Sequence, residues 1–214
     1  MAGKNVSGKR IRVGGFGMAN MLSCLFAALI FCVFLSGCDK TVDYNETTIS
    51  ISKKGIVKNE IVEGFSQVYY KEDELRSMIE EEVGEYAGLT GDKDRVKFDD
   101  LTVEKGKVKV MMTYKSYEDY ADFNDVEFFY GTVNEAMTDG FSLEVTMKST
   151  VDGSNIGKDD IMKLGSSKMI IISEPVMVES YSDILYVTAN VEMVDKRHAR
   201  MSSDSSGRAY LIIE

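Results

Sequence analysis

Leu101 to Tyr114 reads LTVEKGKVKVMMTY, two alternating runs hinged on Lys105-Gly106. Leu101 and Val103 precede the hinge, and Val108, Val110, Met112 and Tyr114 follow it with mostly polar neighbours. A period of two sends alternate side chains to opposite faces of a strand. The stretch therefore predicts a β-hairpin with one face buried and one in water.

The same pattern recurs on either side. Upstream, Ile49 and Ile51 alternate with serines, Lys54-Gly55 makes a turn, and Ile56 to Val62 returns as a partner strand. Between the two hairpins the period changes: Leu75, Met78, Ile79, Val83 and Tyr86 recur at helical spacing. Glu72, Asp73 and Glu74 suit the positive end of that helix, and Gly88 is the expected stop.

Downstream, Ser116 is placed to cap a short helix, and Thr132 with Glu135 forms a capping box for another. Val126 to Tyr130 reads as a brief strand, and Phe141, Leu143, Val145 and Met147 alternate as a longer one. A short helix is expected around Asp159 to Leu164. Lys168 to Ser173, Val176 to Val178, Leu185 to Met193 and Ala209 to Ile213 are further strands, with Asp195 to Arg208 a polar loop. Hairpins with segregated helices predict an α+β domain on a mostly antiparallel sheet, carrying one longer and several short helices.

The start of the chain has a different character. Lys4, Lys9, Arg10 and Arg12 precede any acid, and a 14-residue apolar run from Leu22 to Leu35 follows. A spanning helix needs about 20 such residues, so the run fits a secretory signal better than a transmembrane span. Met18 and Met21 offer alternative starts to Met1.

The run ends in Leu35-Ser36-Gly37-Cys38, which resembles the lipobox of bacterial prolipoproteins: an aliphatic residue, two small ones, then cysteine. The resemblance implies that Cys38 receives a diacylglyceryl group, that residues 1–37 are removed, and that 38–46 form a lipidated tether to a domain over 47–214. It further implies a lipid-anchored (palmitate-type) protein of the cell membrane, facing the extracytoplasmic side. Two fatty chains hold stably where one holds marginally. Beyond the signal, the chain resembles small envelope lipoproteins of Gram-positive-type cells. That likeness carries over no functional residue except Cys38.

Charge and cysteine content narrow the partners. Without its first 37 residues, the 214-residue chain keeps 177, with 21 basic residues against 35 acids. Such acidity argues against nucleic acid, which requires basic patches. It also leaves membrane attachment to lipid rather than to charge. Cys24 and Cys32 fall within the signal, so thiol chemistry and disulfides are not expected.

Motifs for catalysis are sparse. His198 is the sole histidine, set in a charged segment that reads as solvated. Asp152 to Gly157 resembles a calcium loop only until Ile156 and Lys163 occupy positions that need oxygen ligands. Ser167 and Lys168 are strand neighbours pointing to opposite faces, and no serine elbow, phosphate loop or dinucleotide fingerprint occurs. No cofactor is expected.

Aromatic residues crowd Tyr114 to Tyr130. Their spacing favours a core; if exposed, Tyr117, Tyr120 and Tyr130 would be the ligand-contacting rings. The expected function is a binding or interaction module at the cell envelope, with a glycan or protein partner. The alternatives are an envelope hydrolase built on a carboxylate pair, and a structural or assembly factor.

Overall fold

The computed structural model describes residues 46–202 and 207–214. The signal, Cys38 and most of the tether lie outside the described residues. The rest is an α+β fold of two mostly antiparallel sheets rather than one.

The decisive hairpin forms as β3 (Val96–Glu104) and β4 (Lys107–Tyr114), with Lys105 at φ 51° and Gly106 at φ 76°. Two positive φ angles make a type I′ turn, whose twist matches that of the flanking strands. Upstream, β1 (Thr48–Ile51) pairs with β2 (Val57–Gly64), and β2 pairs along its length with β4. The sheet is completed by β9 (Met177–Ser180), β11 (Val191–Met193) and β12 (His198–Met201) in the order β11-β12-β9-β1-β2-β4-β3. β1 and β9 run parallel.

The second sheet has six strands: β5 (Phe128–Thr132), β8 (Lys168–Ile172), β13 (Ala209–Ile213), β10 (Ile184–Thr188), β6 (Met147–Ser149) and β7 (Asn155–Ile156), in that spatial order. Its inner face shares a core with the first sheet: Phe128, Tyr130, Ile170, Ile172, Leu211 and Ile213 meet Ile49, Ile51, Val110 and Met112. Its other face meets a second core, where Phe129, Met169, Ile171, Tyr210 and Ile212 are covered by two short helices. These are α3 (Val133–Thr138) and α4 (Lys158–Lys163). Burial on both faces explains why β8 and β13 are continuous apolar runs while β4 alternates.

Helix α1 (Glu72–Thr90) lays Leu75, Ile79, Val83 and Tyr86 against the shared core, near β3. It runs through Gly84 and Gly88 and stops at Gly91, which takes a left-handed φ of 70° and donates its N–H to Ala87. An interior glycine costs a helix about 1 kcal/mol, and the packed apolar stripe offsets it. Gly88 is therefore not the stop. Ser116 caps α2 (Tyr117–Asn124) by accepting from the Asp119 N–H, and the Thr132–Glu135 capping box forms with both of its bonds.

Three further expectations differ from the structure. Phe141 to Val145 keeps its alternating burial but joins no ladder: of this run, only Met147 to Ser149 pairs with β10. It lies as an extended cover, with Phe141, Leu143 and Val145 on the second core. Leu185 to Met193 is not one strand: it leaves the six-stranded sheet after Thr188 and enters the seven-stranded sheet at Val191. Asn190 fixes that crossing, accepting from the Thr188 hydroxyl at 2.6 Å and donating to the Arg208 carbonyl at 3.1 Å. The segment from Asp195 to Arg208 contains β12, so it is not wholly a loop.

Candidate functional site

The three tyrosines singled out from sequence separate on folding. Tyr120 is 2 % exposed and Tyr130 is 7 % exposed, so neither ring offers a face to a ligand. The Tyr120 hydroxyl donates to Glu174 at 2.9 Å, and its ring stands edge-on to Tyr114 and Phe128. Tyr130 carries the Lys168 ammonium over its ring at 5.3 Å. Tyr117 is half-buried, edge-on to Phe129 at 5.4 Å. The aromatic cluster is core, as its spacing favoured.

Two open depressions lie on the described surface. One open depression of about 330 Å³ is lined by Met137, Phe141, Leu143 and Met162, with Glu144 already paired to Lys158. Another, of about 470 Å³, lies around Val145, Tyr210 and Glu127. The Arg208 guanidinium holds Glu127 bidentately, at 2.7 Å on each side, and keeps its carboxyl below the ordinary value. Each depression thus holds one carboxylate, and each carboxylate is neutralised locally. Neither is an acid pair.

A polar cluster lies instead on the outer face of the seven-stranded sheet. Alternation puts Ser50 of β1, Glu179 of β9 and His198 of β12 on one face, because Ser50 registers with Glu179 and Glu179 with His198. The Ser50 hydroxyl donates to Glu179 Oε2 at 2.5 Å, and Glu179 Oε1 lies 3.6 Å from His198 Nε2. On the far side, His198 Nδ1 lies 2.8 Å from both oxygens of Asp195.

Burial pushes the Asp195 carboxyl up. The Arg197 N–H, the His198 ring and the His198 N–H together outweigh that and hold it below its ordinary value. An ionised carboxylate only accepts, so Nδ1 carries the proton and Nε2 faces Glu179. Glu179 stands between serine and histidine, so the histidine is not placed to take the serine's proton. The geometry is a polar ladder across three strands, open to solvent along one side.

His198 is therefore held between carboxylates, not loosely solvated as its sequence context suggested. Asp195 was within reach of sequence reasoning, since it stands three residues earlier. Glu179 was not, because only the β9–β12 register brings it near. Among the described residues, no group of three or more His, Cys, Asp or Glu side chains is placed to hold a metal ion. No described helix is long and apolar enough to cross a membrane. Comparison with protein families, with curated proteins and with solved structures finds no match for the chain.

Proposed function

We propose that the protein is a lipid-anchored envelope protein, held by diacylglyceryl on Cys38 at the extracytoplasmic face, and that it acts as a binding or interaction module. The observation that carries the reading is the run from Met21 to Cys38: a short apolar segment behind basic residues, closing on Leu-Ser-Gly-Cys. The surface is consistent with binding. Its depressions are open, and their carboxylates are spent on Lys158 and Arg208. A broad sheet face suits a glycan or protein surface better than it suits an enclosed small substrate.

Metabolic labelling with a fatty acid tests the anchor. The natural chain should take up label and sediment with membranes, and Cys38→Ser should do neither. Retention of label by Cys38→Ser overturns the reading. Recovery of a specific glycan or protein from envelope extract by the domain from Thr41 onward would identify the partner.

One observation favours a second reading, hydrolysis: the 2.5 Å contact between Ser50 and Glu179, a nucleophile and a base in reach of each other. It predicts that a fluorophosphonate probe labels the chain and that Ser50→Ala abolishes labelling. An unlabelled chain removes it.

A further inference from the structure

One end of the seven-stranded sheet differs from the rest of the surface. There β2 finishes at Gly64 and β3 at Glu104, each opposite Lys107 at the start of β4. Two loops close this end: the Lys105-Gly106 turn, and Phe65-Ser-Gln-Val-Tyr-Tyr-Lys71, which leads from β2 to α1. Phe65 roots the second loop. Its ring packs on the shared core, its N–H donates to the Gly106 carbonyl at 2.6 Å, and Tyr70 lies against it at 5.1 Å. Beyond that root, Val68 is fully exposed and Tyr69 is 67 % exposed, edge-on to Tyr70. Two adjacent apolar side chains thus sit in water on a loop whose base is fixed.

The chain also enters the fold at this end. The Val62 N–H donates to the Thr47 hydroxyl at 3.1 Å, and Glu46 pairs with Arg200. Val62 is two residues from Gly64, about 7 Å along a strand. Cys38 lies eight residues before Glu46, a reach of at most roughly 27 Å. A lipid on that sulfur would be tethered within roughly 27 Å of Glu46, and Glu46 precedes β1 at the end of the sheet that carries the Val68-Tyr69 tip.

We infer that this end of the domain rests on the bilayer, with Val68 and Tyr69 seated in its interfacial layer. The inference depends on the anchor proposed for Cys38. Tyrosine suits that layer because its ring is apolar and its hydroxyl stays hydrated. Charge is not the attraction: Lys71, Lys105 and Lys107 are outnumbered by Glu72, Asp73, Glu74 and Glu104. The contact is apolar and does not require anionic lipid. A short tether supplies high effective concentration, so a weak interfacial preference is enough to orient the domain. The ladder of Ser50, Glu179 and His198 lies about 20 Å along the sheet from Gly64, since Ser50 registers with Lys58, and then remains available to a partner.

The sequence contains no tryptophan, which makes single reporters possible. Tyr69→Trp and Leu89→Trp are prepared in the full chain and lipidated in a bacterial host. Each is reconstituted into phosphatidylcholine vesicles with and without brominated acyl chains, and again with one-third phosphatidylglycerol. Leu89 is 87 % exposed, and its 17-residue separation from Glu72 puts it about 26 Å along α1.

Bromine should quench the Tyr69→Trp emission at least twofold in both lipid mixtures and leave Leu89→Trp unchanged. Adding Val68→Asp should remove most of that quenching. If the two reporters behave alike while the chain floats with vesicles and its mass includes diacylglyceryl, the orientation is wrong and the anchor stands. A chain that neither floats nor carries diacylglyceryl overturns both.

Discussion

Glu46 accepts two hydrogen bonds from the guanidinium of Arg200, one of them from Nε at 2.9 Å, and so fastens the first described residue to β12. The pair spans 154 positions and raises the Arg200 pKa above its ordinary value, chiefly through the hydrogen bond to Glu46. It is the contact that fixes where a tether would leave the domain.

Breaking this pair should cost little stability. Both partners are about one-third exposed, and such pairs contribute roughly 0.2–1 kcal/mol. Arg200→Ala is expected to lower stability within that range, with a coupling to Glu46→Ala that shrinks in high salt. Denaturant unfolding of both single variants and the double variant measures it. A coupling near zero would mean that β1, not this pair, holds the entry point.

Glu174 and Tyr120 predict a pH effect. Burial raises the Glu174 carboxyl above its ordinary value, and the Tyr120 hydroxyl only partly opposes this. A native state that holds its proton more tightly than the unfolded chain loses stability as pH rises through the unfolded and then the raised native value. Glu174→Gln should therefore be more stable than the natural chain at pH 7–8, and the advantage should vanish near pH 4. Tyr120→Phe removes the donor and leaves the carboxylate unpartnered, at a cost of about 1–3 kcal/mol at neutral pH. Thermal melts across that pH range check both signs.

Tyr114 predicts the opposite kind of result. Its hydroxyl and Asn59 Oδ1 are, among the described residues, the buried side-chain atoms without a hydrogen-bond partner. Burial accordingly pushes the phenol well above its ordinary pKa. Tyr114→Phe keeps the ring against Tyr120 and Phe123 and removes a hydroxyl whose Asn124 and Asn59 neighbours offset its burial only partly, without well-formed hydrogen bonds. It should be neutral or stabilising by up to about 1 kcal/mol. Marked destabilisation would reveal a bound water at the hydroxyl.

Gly131 predicts a steric cost. A Cβ there would stand 2.5 Å from Phe129 Cζ and 3.0 Å from Glu135 Oε2. The ring cannot step aside easily, since Tyr117 and Phe141 flank it. The Glu135 carboxylate is committed to the Thr132 N–H in the capping box. Gly131→Ala should lose about 1–3 kcal/mol through overpacking, read as a lowered denaturant midpoint with an unchanged slope.

Local signals carried well into the structure wherever one short segment decides its own form. Lys105-Gly106 makes its turn, Ser116 and Thr132 cap their helices, and the two N-terminal hairpins pair as their alternation requires. Signals failed where a distant neighbour chooses. Phe141 to Val145 has a strand's alternation and no strand beside it. The single apolar face read over Leu185 to Met193 is divided between two sheets, because Asn190 breaks the ladder and recruits Arg208 from another segment. Of the candidate residues, the buried fate of Tyr120 and Tyr130 was readable from spacing, whereas the isolation of Tyr117 at the margin of two cores was not.

The α+β class was determined by the sequence alone, because the periods of two and 3.6 are properties of neighbouring residues and need no tertiary partner. The same holds for the Leu-Ser-Gly-Cys motif, which is a covalent pattern. Only the tertiary structure decided that there are two sheets, that the second is buried on both faces, and that Glu179 stands between Ser50 and His198. It also decided that Thr47 and the Val68-Tyr69 tip share one end of the first sheet. Those facts depend on register between strands far apart in the chain, and a one-residue slip in any pairing would turn each side chain to the other face.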